Sequence, residues 1–122
     1  MTEPRILEAF QTMWGPFPEP VMLVHRDRTV LAANDLARQI GIPTGIKCHT
    51  LNPLAEGKHC QHCKANQALN SGKTVCKEEL MGDRYIRGYW MPLTEAPDLY
   101  VHFGIGTAEA LAQNAAACAP QA

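Results

Sequence analysis

Three β-favouring runs dominate the second half of the chain: "TVCKEELM" (74–81), "RYIRGYWMPLT" (84–94) and "LYVHFGIGT" (99–107). "GD" at 82–83 is a tight-turn signal between the first two. "EAPD" at 95–98 turns between the last two. Three successive strands joined by turns commit this half to sheet, and the upstream elements must pack against it.

Upstream, "VMLVHRDRTVLAAN" (21–34) places two short β-favouring runs around a polar turn at Asp27, which predicts a hairpin. Asn34 is a favoured N-cap for "DLARQIG", with Asp35 at the positive end of the helix dipole and Gly41 as the stop. Residues 42–58 are broken by Pro43, Gly45, Pro53 and Gly57 and allow only turns or single helical turns. "QHCKANQALN" (61–70) reads as a helix that "SGK" ends. Before the hairpin, residues 3–14 form an amphipathic helix, with Ile6, Leu7, Phe10, Met13 and Trp14 at three- and four-residue spacing. "GPFPEP" stops it. That apolar stripe is expected to pack across a two-fold interface onto a second copy, the alternative being its own domain. The chain thus divides into an N-terminal helix and linker (1–17), a central domain (18–107) and an Ala-rich helix or tail (108–122).

A chain of 122 residues is one domain by size and needs no covalent staple to build a core. A formal net charge of −1 gives no electrostatic argument for nucleic acid or an anionic membrane. The N-terminus carries Glu3, Arg5 and Glu8 and is no signal peptide, and no run is long enough to span a bilayer. The expected compartment is the cytoplasm, where clustered cysteines point to metal or redox chemistry rather than to a disulfide framework.

The order β-β-α, a broken helical middle, one longer helix and then β-β-β resembles a PAS domain over roughly residues 18–107. "PVMLVHRDRTVLAAN" is similar to the opening hairpin of that family, whose closing Asn caps the next helix. "ALNSGKTV" is similar to its approach to the third strand. The resemblance implies an α+β fold: a five-stranded antiparallel sheet with short helices on one face enclosing a small ligand pocket, here preceded by an amphipathic helix. It also implies sensing or interaction rather than catalysis. Many PAS domains end their last strand with Asp, an apolar residue and Thr. This chain has "GIGTAEAL", with Gly104 in place of that Asp. No kinase, cyclase or DNA-binding segment follows in the sequence, so the module is expected to act through a partner or within a longer chain.

A subset of PAS domains is more similar still, with a Cys before the long helix, a C-x-x-C at its start and a "TGK"-like turn after it. The matching residues here are Cys48, then Cys60 and Cys63, then "SGK". PAS sensors that hold iron–sulfur clusters typically use two C-x-x-C pairs. This chain has C-x11-C-x2-C-x12-C, with one pair.

At the first turn of a 61–70 helix, Cys60 and Cys63 would share one face, and the helix N-terminus would favour the thiolate that metals bind. Cys48, on the loop that folds back, is a candidate third ligand. Cys76 is a strained fourth, because a ten-residue helix is about 15 Å long and only Ser71–Val75 return the chain. His49, His59 and His62 are the alternatives. Zinc accepts such a set, and so does an iron–sulfur cluster. Lys64 stands where a c-type haem motif needs His, and no βαβ context supports a thioredoxin-like pair. Three readings stay open: a metal or cluster, reversible thiol chemistry, or small buried side chains.

His25, His102 and Trp90 are candidates to line a cofactor pocket, noncovalent haem included. Tyr85, Tyr89 and Phe103 are candidates for core or interface. Nothing resembles a nucleophile–base–orienter set, so no enzymatic activity is expected. The sequence therefore reads as a homodimeric, cytoplasmic sensory or interaction module with a cysteine-centred iron–sulfur, zinc or redox site and a partner signalling protein. It is expected to bind neither nucleic acid nor membrane. The alternatives are a cofactor-free dimerisation module with structural cysteines, and a small-metabolite or haem pocket.

Overall fold

A computed structural model of the chain describes residues 3–51, 63–81 and 83–109. Helix α1 (Pro4–Trp14) leads to strands β1 (Val21–His25) and β2 (Val30–Ala33), then to helix α2 (Asp35–Gln39). A 3₁₀ turn (Cys48–Leu51) and helix α3 (Ala65–Ser71) precede β3 (Val75–Met81), β4 (Arg84–Leu93) and β5 (Ala96–Ile105). All five strands form one antiparallel sheet in the order β2-β1-β5-β4-β3, the α+β architecture expected from the sequence.

Alternation along the two inner strands β1 and β5 sorts the core. Val21, Leu23, Leu99 and Val101 bury on one face together with Phe10 of α1. Val24 and Tyr100 turn to the other, where Trp90 of β4 and Ala65 and Ala68 of α3 meet them. Because both faces are covered, β1 is a near-continuous apolar run rather than an alternating one. Each fully buried Val or Leu here contributes about 1.5–3 kcal/mol. The face under α3 is the inner face, and the one under α1 the outer.

The stripe on α1 does not await a second copy. Ile6, Leu7, Phe10 and Trp14 pack on the chain's own outer face with Phe17 and Phe103. The Trp14 ring lies 5.1 Å from that of Phe17 and 5.2 Å from that of Phe103. Of the stripe, only Met13 is left in solvent, at 72% exposure. The sequence expectation is corrected for a simple reason: the strand after the "GPFPEP" turn runs directly beneath the helix, so intramolecular burial comes first.

One strand boundary also differs from expectation. β5 begins at Ala96 rather than Leu99, because Thr94 and Glu95 alone make the turn. A register shift at Pro92/Leu93 accommodates the adjacent irregularity. In the middle of β4, Gly88 makes room for an aromatic ring. A Cβ there would stand 3.3 Å from Cη2 of Trp90, whose indole lies across it.

Asn34 caps α2 as expected, and does more. Fully buried, its Oδ1 accepts from Ala37 N (3.0 Å) and from Val21 N (2.9 Å). Its Nδ2 donates toward the carbonyls of Trp14 (3.1 Å), Phe17 (3.3 Å) and Glu19 (2.8 Å). One amide therefore fixes the linker, the start of β1 and the start of α2. Asn34→Ala removes a cap worth about 1 kcal/mol and strands further buried groups at roughly 1–3 kcal/mol each. Denaturant unfolding should show a loss of at least about 3 kcal/mol, with Asn34→Asp milder because it keeps the acceptor.

Candidate functional site

Cys48 opens the 3₁₀ turn, and the hairpin holds it there. Its amide donates to the Arg28 carbonyl at 2.7 Å. Just before it, Val30 N donates to Ile46 O (2.8 Å) and Gly45 N to Val30 O (2.8 Å). Residues 45–48 are thus zipped along the hairpin, which delivers Cys48 to the inner face. Cys63 precedes α3, whose buried Ala65 and Ala68 dock on Trp90 and Tyr100. Both thiols are partly buried and pack against the same cluster of Val24, Ala65, Ala68, Trp90 and Tyr100.

Tyr100 stands at the centre of this cluster. Its side chain is fully buried, and among the described residues its hydroxyl meets no partner with full hydrogen-bond geometry, although the Cys48 thiol lies near enough to act on it. Burial drives the phenol pKa far above its ordinary range; neighbouring charge on Cys48 or Cys63 would raise it further, and the Arg28 guanidinium opposes this. The guanidinium carbon is 5.9 Å from the ring centroid, a cation–π placement. Arg28 has left-handed backbone, φ 78°, in the β1–β2 turn. It offers its carbonyl to Cys48 and donates from Nη2 to Asn66 Oδ1 on α3 at 3.0 Å. One turn residue therefore ties together the segment bearing Cys48, the helix after Cys63 and the Tyr100 ring.

The other sequence candidates are placed differently. α3 begins at Ala65, not Gln61, with Lys64 as an N-cap that supplies no side-chain bond. Cys63 thus precedes the helix instead of belonging to its first turn, and the helix-start argument for its thiolate does not hold. The stretch before Ala65 has no Ser, Thr, Asp or Asn to cap an earlier start. Cys76 pairs with Tyr89, which pairs with Phe103 on the outer face, and it is exposed. The period-two alternation of β3 turns Val75 inward and Cys76 away from Cys48 and Cys63. Cys60, His59 and His62 lie outside the described residues. His49, in the 3₁₀ turn, has a buried Nδ1 without a partner. Among the described residues, no three His, Cys, Asp or Glu side chains converge to hold a metal ion.

Trp90 and His102 meet on the inner face, with rings stacked at 4.8 Å and 20°. The His102 Nδ1 lies 2.9 Å from the Tyr89 carbonyl, to which its N–H donates. Burial lowers the His102 pKa, partly offset by that carbonyl. His25 shares the alternation of Val21 and Leu23, so it points away from this pair. Its Nδ1 accepts from Asp27 N at 3.0 Å within the turn. The cavity expected between the inner face and residues 42–58 falls in part on residues outside the described set. One groove of about 380 Å³ opens instead between α1 and the β4–β5 turn, lined by Ile6, Phe10, Leu93 and Ala96.

The inner-face helices and the five-stranded order together define a PAS-like fold. A solved domain of an HTR-like protein from Haloarcula marismortui shares it, at a TM-score of 0.51 and 18% identity, covering 71% of this chain and 95% of that one. No protein-family model matches the chain. No curated protein matches it. Among the described residues, no helix is long and apolar enough to cross a membrane.

Tyr100 and Arg28 escape a reading by motif. The available signal was alternation in "LYVHFGI": Leu99, Val101 and Phe103 take one face, leaving the polar-tipped Tyr100 and His102 together on the other.

Two measurements check this geometry. Tyr100→Phe deletes a buried hydroxyl without a full hydrogen-bond partner, so the metal-free protein should gain roughly 1 kcal/mol in denaturant melts. His102 is neutral in the fold at a pH where the unfolded imidazole already binds its proton. Stability should therefore be fully present above the ordinary imidazole range and be lost as pH falls through it toward the lowered His102 pKa. His102→Phe keeps the stack and should flatten that slope.

Proposed function

We propose that the chain is a non-enzymatic, cytoplasmic PAS-like sensory or interaction module. Its sensing element is the thiol site at Cys48 and Cys63, and its output passes to a partner protein. The observation that carries this reading is the convergence of two thiols on a buried tyrosine whose hydroxyl, among the described residues, has no partner with full hydrogen-bond geometry. Buried polar atoms without partners are rare in folded proteins and call for a ligand, an ion or a water. The fold shared with a domain of an HTR-like protein is in keeping with a module rather than a stand-alone catalyst.

The donors suit a soft metal centre in part. Cys48 and Cys63 would supply two thiolates, and Cys60, by its C-x-x-C spacing, a third. His49, whose Nδ1 is buried without a partner, is a candidate for the fourth. A bound iron–sulfur cluster would supply a one-electron redox couple, and zinc a closed cross-link between the two segments. Self-association is expected as well, through a surface other than the apolar face of α1.

Anaerobic purification followed by absorption spectroscopy and metal and sulfide analysis tests the reading. Iron with sulfide, or zinc, should co-purify with the chain and be lost in Cys48→Ser and Cys63→Ser. A colourless, metal-free protein whose thiols titrate fully and whose assembly ignores oxidant would establish the cofactor-free interaction module instead. That alternative is favoured by the apolar packing of both cysteines.

A further inference from the structure

The linker before β1 touches the chain where it leaves the domain. Glu19 stands between Pro18 and Pro20, and the Asn34 amide holds its carbonyl at 2.8 Å. Its Oε2 accepts from Gly106 N and its Oε1 from Ala108 N, each at 2.8 Å. Gly106 turns the chain at φ 99°, and a helix begins at Thr107. The first amides of a helix have no partner within it, and a carboxylate across them makes charge-assisted bonds aligned with the helix dipole. The junction has no room for its own carboxylate at Gly104. A Cβ there would stand 2.6 Å from Thr107 Oγ1 and 3.0 Å from Ile86 Cγ2. The other tie on this first turn, Arg84–Glu109 at 2.9 Å, is a surface pair with Glu109 68% exposed, and such pairs hold weakly.

The other end of the connection is equally specific. Gly15 O accepts from Asp35 N (3.2 Å), and Gln11 Nε2 donates to Asp35 Oδ1 (2.9 Å). Together with the Asn34 amide, these bonds make α1, the linker and Glu19 one hydrogen-bonded unit.

We infer that Glu19 is a clamp that couples the seating of α1 to the order of the outgoing helix. Displacing α1 drags the linker, withdraws both carboxylate oxygens from Gly106 and Ala108, and frees the first turn of that helix. The inference draws its purpose from the sensory reading above, but the coupling itself involves no thiol or metal.

Hydrogen exchange on the whole chain tests it, read at single amides. Glu19→Ala should speed exchange at Gly106 and Ala108 by about tenfold or more, with Tyr100 and Val101 in β5 unchanged. Phe10→Leu loosens α1 without touching Glu19. It should speed the same two amides by a smaller factor, and should add nothing in the Glu19→Ala background. If Phe10→Leu also disturbs β5, Gln11→Ala, which removes only the bond to Asp35, takes its place. Gly106 and Ala108 rates that ignore Glu19→Ala would overturn the clamp. So would an α1 effect that persists undiminished without Glu19. Neither result depends on metal content or thiol state, so failure here and failure of the thiol reading are separately visible.

Discussion

The buried side-chain amide of Asn34 is the constraint on which the rest of the arrangement depends. Five backbone groups share it, drawn from the end of α1, the linker, β1 and α2. A linker carrying Pro16, Pro18 and Pro20 has few amides of its own to donate, so its carbonyls must find donors elsewhere. Asn34 supplies them, and in doing so sets where α1 lands on the sheet. Without that anchor the apolar stripe of α1 would still seek cover, but only exposed ties such as that of Gln11 to Asp35 would favour the outer face of β1 and β5 over another surface.

That choice divides the sheet between two tasks. The outer face closes on α1 and becomes ordinary core, rich in aliphatic and aromatic contacts. The inner face receives α3 and the 3₁₀ turn, and it gathers the polar-tipped residues Tyr100, His102 and Trp90 beside Cys48 and Cys63. The division follows from strand period alone. It also explains why Cys76, close in sequence to the other thiols, does not join Cys48 and Cys63 on the inner face: a one-residue offset on β3 is a change of face.

Much of this was legible in the sequence. The hairpin around Asp27, the Asn34 cap, the succession of five strands along the chain and the helix on 3–14 all follow from turn residues, capping chemistry and apolar spacing. The failures have physical causes. The sequence reads an α3 start that is too early because "QHCK" has no breaker, though it also has no cap. The α1 stripe suggests a second chain because periodicity shows that a face must be covered and not by what. Tyr100 and Arg28 carried no motif, because their importance lies in long-range contacts that spacing does not encode. Glu19 was hidden for the same reason: its partners lie 87 and 89 residues away.

The incompletely partnered hydroxyl of Tyr100 bears on how such a site could transmit anything. A phenol buried without a partner costs about 1–3 kcal/mol, a large share of the margin of a domain this size. Phenylalanine would fill nearly the same space without that loss. The residue that costs stability lies between the two segments that carry the thiols, and Arg28 links those same segments through the Cys48 amide and Asn66. A ligand that satisfies the hydroxyl while engaging the thiols would relieve the loss and bind the 3₁₀ turn to α3. Its binding energy would then appear as stability of the inner face, growing with ligand concentration. On the sensory reading proposed above, occupancy would be reported through the order of the site's own surroundings, where a partner protein would read it.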